Sequence, residues 1–267
     1  AYLLSMGLST AVLFVGQEIN GSRRWLNFGP LSFQPSEFAK AAVILFLTWQ
    51  IQGSKKTTAG FWFMCRTMLT LLPIVGLVGS NNLSTAIIIL GIGVILIFIS
   101  DPGYARFIGM GVTGAAVIAV FLAAESYRLE RLAIWRNPEK YEKGFQTIQG
   151  LYAIGSGGLF GRGFGSSLQK LGFVPEAQND MIFSIICEEL GLTGAFFLIG
   201  IFGLLMWRLM VIALHCRELQ GTLLCVGIMS HMAIPNTGIT LPFISYGGTS
   251  VVFLLGEMGL ALSVSRK

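Results

Sequence analysis

The chain has 267 residues, of which 54% are hydrophobic and only 12% are charged, and its formal net charge is +5. This composition excludes an ordinary soluble domain, in which about 25% of residues are charged. The positive charge is spread over short connecting segments and forms no basic stripe suited to nucleic acid, so we expect a membrane protein without a nucleic-acid partner.

Hydrophobic runs long enough to cross about 30 Å of hydrocarbon predict about eight transmembrane helices in one all-α, polytopic bundle. We interpret residues 1–267 as a single integral membrane domain. Residue 1 lies inside a hydrophobic run with no charged leader, so we expect the sequence to begin within a larger protein. In chain order, the predicted spans are 1–17, 36–52, 63–80, 83–100, 107–124, 181–207, 209–233 and 247–264.

The polar connections alternate between two membrane faces. Connections 53–62 and 101–106 share one face with the C-terminus, and their excess of lysine and arginine predicts that this face is cytoplasmic. The long polar segment 125–180 then lies on the outer face. It has seven basic and six acidic residues, and long loops translocate largely regardless of charge.

Charged side chains mark the first outer connection and the helix that follows it. Arg23 and Arg24 suit either anchoring at lipid headgroups or binding of a substrate pyrophosphate. Glu37 and Lys40 are three residues apart on the next helix, where they can neutralise each other on one face. Ionisable groups entering hydrocarbon are costly unless they are paired or face a wet cavity. The pair therefore indicates either a polar interior or a simple ion pair at the helix start.

Segment 125–183 is far longer than a connection between two helices needs, and long ordered loops are more often functional than idle. Its glycine-rich stretch 155–165 allows the backbone to approach a ligand and to offer N–H groups to an anion, although such stretches are often merely flexible. The Gly-Lys-Ser/Thr of a nucleotide P-loop is missing, and no strand precedes the glycines. Nucleotide chemistry is therefore disfavoured.

Two carboxylates, Glu176 and Asp180, lie one helical turn apart just before the hydrophobic pattern resumes. An aspartate at the mouth of a spanning helix can act as a general base. It can also cap the N-terminus of a helix beginning near residue 181, and the residues alone favour that structural role. Glu188 and Glu189 follow about two turns deeper and indicate a wet cavity below Asp180.

The stretch 235–250 contains two prolines and three glycines, which interrupt the helical pattern on the outer face. Irregular backbone at membrane depth is tolerated only where it is buried in protein or lines a cavity. His231, before the break, is interpreted as a packed or helix-linking residue, and Glu257, beyond it, is another intramembrane carboxylate. No set of side chains has metal-ligand spacing, so no metal site is predicted. Assistance of a reaction by a divalent cation stays open.

These motifs together resemble the SEDS family of bacterial polytopic membrane proteins, whose division, elongation and sporulation members are known as FtsW, RodA and SpoVE. Two segments depart from the pattern of many members: Gln178 and Asn179 stand where His-Thr is common, and Ser80-Asn81-Asn82 where Gln-Pro-Asp is common. The matching segments, which follow the family's order and spacing, are 21–25, 34–40, 153–159, 175–180 and 238–248.

The resemblance implies a ten-helix fold with both termini in the cytoplasm, so the predicted helices would be the third to the tenth. It implies an inverting peptidoglycan glycosyltransferase, which polymerises glycan strands from lipid II, the undecaprenyl-pyrophosphate-linked disaccharide peptide. It also implies a class B penicillin-binding protein as partner, a place in the bacterial plasma membrane and an active site on the extracytoplasmic face. No cofactor is expected.

By this resemblance Asp180 is the catalytic residue, and Glu37 and Lys40 are the family's ion-paired helix residues. Two other functions stay open, a flippase or transporter of a lipid-linked precursor and a non-catalytic scaffold for a penicillin-binding protein. The motifs do not separate division, elongation and sporulation members. The predicted substrate-binding residues are Arg23, Arg24, Glu37, Lys40, Arg162, Glu176 and Ser245.

Overall fold

The computed structural model describes most of the predicted spans. The described residues are 1–19, 22–28, 31–54, 60–101, 103–109, 111–112, 137–140, 144–172, 177–233 and 241–266. Most of the predicted span 107–124 and Glu176 lie outside them. The described chain is mainly helical, which confirms the predicted all-α, polytopic class, and it also contains a small sheet that was not predicted.

The longer elements alternate with short turns along the chain. Residues 104–109 and 111–112 are helical, and 3-10 turns occupy Pro138–Lys140 and Gln169–Leu171. Strands β1 (Gln17–Ile19), β2 (Ser22–Phe28) and β3 (Leu31–Phe33) form the sheet. The helices are α1 (Tyr2–Val15), α2 (Pro35–Ser54), α3 (Phe61–Gly79), α4 (Leu83–Ser100), α5 (Phe145–Gly157), α6 (Ile182–His215), α7 (Leu219–Ala233) and α8 (Gly248–Ser265).

Four of the described helices, α3, α4, α6 and α8, are long and apolar enough to cross a membrane. Helices α1 and α7 are also apolar but shorter. Helix α2 has 20 residues, the length of a span, and carries Glu37 and Lys40 inside it. The chain is thus a multi-pass membrane protein, as its composition predicted.

The chain divides into two compact units. The first unit comprises Ala1–Gly103, Leu204–Thr237 and Gly247–Lys267, and the second comprises Tyr104–Gly203 and Gly238–Tyr246. The core of the first unit is built from aliphatic side chains on α2, α3, α4 and α7 that are almost completely buried. They include Ile44, Ile51, Leu71, Ile74, Ile89, Ile92, Leu96, Leu223 and Ile228.

Gly93 on α4 packs closely against α3. A Cβ atom at Gly93 would lie 2.2 Å from a methyl carbon of Leu71, so a larger residue there would force the buried Leu71 side chain to move. This is the small-residue packing expected between membrane helices, which gain little from the hydrophobic effect and associate through close contact.

The sheet of the first unit lies between α1 and α2 in sequence and is antiparallel throughout, in the order β1-β2-β3. Gln17 pairs with Trp25, and the register shifts after it. Leu26 pairs with Phe33. The sheet holds β2, which carries Arg23 and Arg24, in a fixed hydrogen-bonded frame, where the sequence had indicated only a polar connection.

Helix α6 differs from the predicted span in two ways. It runs to His215 rather than ending at residue 207, because the exposed Arg208 can extend its long side chain towards the polar boundary without ending the helix. The helix also breaks at Gly191, where φ is 68° and ψ is −169°. That conformation is essentially restricted to glycine.

Candidate active site

Asp180 lies in the turn at residues 177–181, directly before α6 begins at Ile182. Its side chain is half-buried. The unpaired N–H groups and the dipole at a helix N-terminus both favour a carboxylate at this position. The position therefore suits the two roles considered for Asp180, a helix cap and a general base, and the choice of base stays a prediction.

The segment 241–246, in the same unit, is hydrogen-bonded to this turn. The Tyr246 N–H donates to the Gln178 carbonyl at 2.9 Å, and the Ser245 hydroxyl donates to the Asn179 carbonyl at 3.0 Å. Phe243 adopts a φ of 65°, which is uncommon for a residue with a side chain. The irregular backbone predicted in this stretch thus supports the main chain immediately before Asp180.

Ser245 has a structural role in this arrangement. Besides donating to Asn179, its hydroxyl oxygen accepts a hydrogen bond from the Leu241 N–H at 2.8 Å. The hydroxyl therefore joins the 241–246 segment to the turn that carries Asp180. A direct contact of Ser245 with substrate stays a prediction.

The glycine-rich stretch forms what we call the glycine loop, residues Gly158–Gly172. This loop pairs main chain to main chain with α6 on both sides of the break at Gly191. A Cβ atom at Gly191 would lie 2.4 Å from the Gly161 nitrogen, so glycine is needed for this approach. The four bonds run from Arg162 N to Glu188 O, Gly163 N to Glu189 O, Leu192 N to Gly158 O and Thr193 N to Leu159 O, with lengths from 2.9 to 3.1 Å.

Glu189 holds the loop through its side chain as well. Its carboxylate accepts hydrogen bonds from the Gly165 N–H at 2.9 Å and the Ser167 N–H at 3.3 Å. The Lys170 ammonium is 2.7 Å from the same carboxylate. Glu189 thereby neutralises a lysine and satisfies two loop N–H groups at once.

Glu188 is fully buried and binds the loop in a similar way. The Ser167 hydroxyl donates to its carboxylate at 2.5 Å, and the Leu168 and Gln169 N–H groups donate at 3.2 and 3.3 Å. The expectation that these glutamates line a wet cavity below Asp180 is therefore wrong. Their carboxylates accept hydrogen bonds from the loop instead. The sequence did not predict that the loop lies next to them.

Arg162 contributes the remaining charge near Glu188. Its guanidinium lies 3.6 Å from the Glu188 carboxylate, and 40% of its side chain stays exposed. The Glu188 carboxylate is buried, whereas the Arg162 side chain is partly exposed and can still contact a ligand. Binding of substrate by Arg162 stays a prediction, as does the predicted role of Glu176, which lies outside the described residues.

The first unit contains a separate buried group of ionisable side chains on α2, α7 and α8. Lys40 and Glu37 form the predicted ion pair at 2.9 Å, with both side chains almost completely buried. His231 binds Glu257 at 2.8 Å, which confirms its interpretation as a helix-linking residue.

The two arginines of β2 line a small, open surface pocket in the first unit. Both are exposed, and the Arg24 guanidinium donates to the Asn81 carbonyl at 3.2 Å. The Asn81 side-chain amide in turn donates to the Arg23 carbonyl at 2.7 Å. Asn81, where many members of the SEDS family have proline, therefore ties the α3–α4 connection to β2.

The predicted site residues are thus divided between the units. Asp180, Arg162 and Ser245 belong to the second unit, and Arg23, Arg24, Glu37 and Lys40 belong to the first. Among the described residues, no group of three histidine, cysteine, aspartate or glutamate side chains is arranged to hold a metal ion. The absence of a metal and of a cofactor stays a prediction.

Comparison with known proteins supplies the family. The model of a cell cycle protein family comprising FtsW, RodA and SpoVE matches residues 1–267. The chain is 38% identical to stage V sporulation protein E of Bacillus subtilis, over 94% of this chain and 74% of that protein. It is 35% identical to a probable peptidoglycan glycosyltransferase FtsW of Saccharophagus degradans, over 98% of this chain and 74% of that protein.

Two solved structures are similar over 99% of this chain. One comes from a study of how a peptidoglycan synthase complex coordinates polymerization and crosslinking, with 33% identity, a TM-score of 0.80 and 79% of that chain covered. The other is the rod shape determining protein RodA of Thermus thermophilus, with 30% identity, a TM-score of 0.69 and 76% of that chain covered.

Proposed function

The chain belongs to the family of cell cycle proteins that comprises FtsW, RodA and SpoVE, and from this membership we propose that it polymerises the glycan strands of peptidoglycan. Several relatives are named probable peptidoglycan glycosyltransferases. A similar chain belongs to a peptidoglycan synthase complex. The protein is therefore a peptidoglycan glycosyltransferase of a multi-pass membrane family.

The substrate that we propose is lipid II, presented at the extracytoplasmic face of the bacterial plasma membrane. Its leaving group is a diphosphate anchored to a lipid, which explains why the reaction belongs at a membrane surface. A multi-pass protein with a carboxylate in a structured turn at the head of a spanning helix suits such a substrate, since the sugar must react while the lipid stays in the bilayer.

Asp180 is the proposed general base. It removes the proton from the 4-hydroxyl of an acceptor GlcNAc, whose oxygen forms a bond to the anomeric carbon of the terminal MurNAc. The bond from that carbon to undecaprenyl pyrophosphate breaks, and the diphosphate leaves with the electron pair. A single in-line displacement inverts the configuration at the anomeric carbon.

The observation that carries this assignment is the support of the turn before α6. Tyr246 and Ser245 bind the carbonyls of Gln178 and Asn179, so the main chain leading to Asp180 is fixed by a second segment. A catalytic group must be held within hydrogen-bond reach of the proton that it abstracts, and a supported backbone serves that requirement.

Positive charge is needed where the diphosphate leaves. We propose that one exposed guanidinium group supplies this charge, that of Arg23, Arg24 or Arg162, because an exposed arginine can form paired hydrogen bonds to phosphate oxygens. Lys40 is buried against Glu37 at 2.9 Å. We therefore propose that this lysine acts by maintaining the α2 framework and not by direct contact with the diphosphate.

A class B penicillin-binding protein is the proposed partner, because the strands made by the polymerase must then be crosslinked. The support is the likeness to a chain from a complex in which polymerization and crosslinking are coordinated. The assay of activity therefore includes a candidate partner.

The test is polymerisation of purified lipid II by the protein together with that partner. We expect Asp180→Asn to lose activity by about a hundredfold or more, the range for loss of a general base, while keeping its thermal unfolding temperature. Glu139→Gln is the matched control, because Glu139 is an exposed carboxylate of the same long segment and should be replaceable.

Three results would contradict the proposal. Near wild-type polymerisation by folded Asp180→Asn would exclude this residue as the base. Full cellular function of Asp180→Asn with the partner still bound would favour a scaffold. Transfer of labelled lipid II across proteoliposomes without formation of polymer would favour a flippase.

A further inference from the structure

The glycine loop has an unusual distribution of side chains for a segment outside a helix. It contains five large apolar residues, and all five are exposed, with Phe160 at 79% and Phe164 at 88%. Ser167, by contrast, is 2% exposed. A loop surrounded by water would turn its aromatic residues inwards and its serine outwards. The exposed apolar residues are Leu159, Phe160, Phe164, Leu168 and Leu171.

Most main-chain N–H groups of the loop are paired within the protein, although the buried Gln169 Oε1 has no hydrogen-bond partner among the described residues. Glu188 and Glu189 accept hydrogen bonds from four loop N–H groups and from the Ser167 hydroxyl. The main chain at Arg162 and Gly163 donates to carbonyls of α6. Water could serve these N–H groups at an aqueous surface, but hydrocarbon cannot, so internal pairing is what a lipid environment demands.

The loop is also fixed at one end of a membrane span. Its main-chain bonds reach residues 188–193 of α6, on both sides of the break at Gly191. From Leu192 to His215 the helix is about 36 Å long at 1.5 Å per residue, enough for the hydrocarbon core. The loop therefore adjoins the boundary of that core, and the exposed Leu190, Leu192, Phe196 and Phe197 extend an apolar surface along the helix.

The charges of the loop fit the same location. Arg162 and Lys170 are its only ionisable side chains, and both are cationic and partly exposed. Long cationic side chains at a membrane boundary can reach anionic headgroups while their stems stay among apolar groups.

We propose that the glycine loop is a membrane anchor, with Phe160 and Phe164 inserted at the boundary between the lipid headgroups and the acyl chains. The partner of this surface is the lipid itself. The anchor sets the height of the loop at the membrane surface, and it is independent of which residue serves as the base.

The test uses fluorescence of the full-length protein in lipid nanodiscs. Phe164→Trp and, separately, Phe160→Trp each add one indole, and the emission of the wild-type protein in the same nanodiscs is subtracted. We expect the added emission to be lost when the lipids carry bromine on the upper acyl carbons, to the same extent as for Phe197→Trp on α6. Iodide in the water should leave it unchanged.

Lys140→Trp is the control for an exposed polar turn, and its indole should be quenched by iodide and not by brominated lipid. The proposal is overturned if the indoles at both loop positions behave like this control. It is also overturned if they become shielded from iodide only when the penicillin-binding protein is added, because the surface would then bind a protein and not the lipid. Two positions are used so that one poorly folded variant does not decide the result.

Discussion

Replacing Lys40 by methionine tests whether the ion pair on α2 stabilises the first unit. Lys40 and Glu37 are 2.9 Å apart, and their side chains are 2% and 5% exposed. Methionine has a similar length and no charge, so Lys40→Met would leave the Glu37 carboxylate buried without its cation. The perturbation is therefore electrostatic, with little change in packed volume.

The expected cost follows from the burial. At 2.9 Å and an effective dielectric constant of 20, the attraction of two unit charges is about 6 kcal/mol, and desolvation offsets part of it. Removing one partner of a buried pair typically costs about 3–5 kcal/mol. We expect that loss for Lys40→Met. The double variant Glu37→Gln/Lys40→Met should cost no more than about 2 kcal/mol, since neither charge is then stranded.

The assay is unfolding of the purified protein in detergent, with all four members of the double-mutant cycle measured under one condition. Lys140→Met is the matched control, because Lys140 is exposed and its loss should change the unfolding free energy by less than about 0.5 kcal/mol. A cost below about 1 kcal/mol for Lys40→Met would refute the reasoning. So would a double variant whose cost equals the sum of the two single costs.

Three further substitutions test other contacts. Gly191→Ala should destabilise the protein by more than about 2 kcal/mol in thermal unfolding, because its φ of 68° disfavours a side chain and the Cβ would meet the Gly161 nitrogen at 2.4 Å; Gly200→Ala, where the Cβ has open space, should be neutral or stabilising. Glu257→Gln should weaken the buried bond to His231 and cost about 1.5–3 kcal/mol by the same measurement, and an unchanged unfolding temperature would contradict a helix-linking role. Ser245→Ala removes both hydrogen bonds of its hydroxyl. It should lower the turnover number in the lipid II assay while changing the unfolding temperature only slightly.

The sequence predicted those parts of the site that depend on local spacing. Glu37 and Lys40 pair because residues three apart share a helix face. His231 joins a neighbouring helix because a buried polar ring between spans needs a partner. The break before Tyr246 was indicated by its prolines and glycines, which do not continue a helix.

The parts that were missed depend on contacts between distant residues. Nothing in the local pattern shows that the N–H groups near Ser167 point at Glu188, so the glutamates were assigned to a wet cavity. The strands around Arg23 are short and give no long alternation of polar and apolar residues. Their sheet was therefore not predicted. The predicted end of α6 at residue 207 is also wrong, because the helix continues past Arg208 to His215.

The bonds between the glycine loop and the break in α6 have a consequence for how this region can change during evolution. They join main-chain atoms, so replacing Leu159 or Arg162 leaves all four of them in place. Deleting one residue between Gly158 and Gly163 would move the later N–H groups by about 3.5 Å and remove their acceptors. The main chain itself therefore constrains the length of this segment, in addition to any constraint on the side chains that it carries.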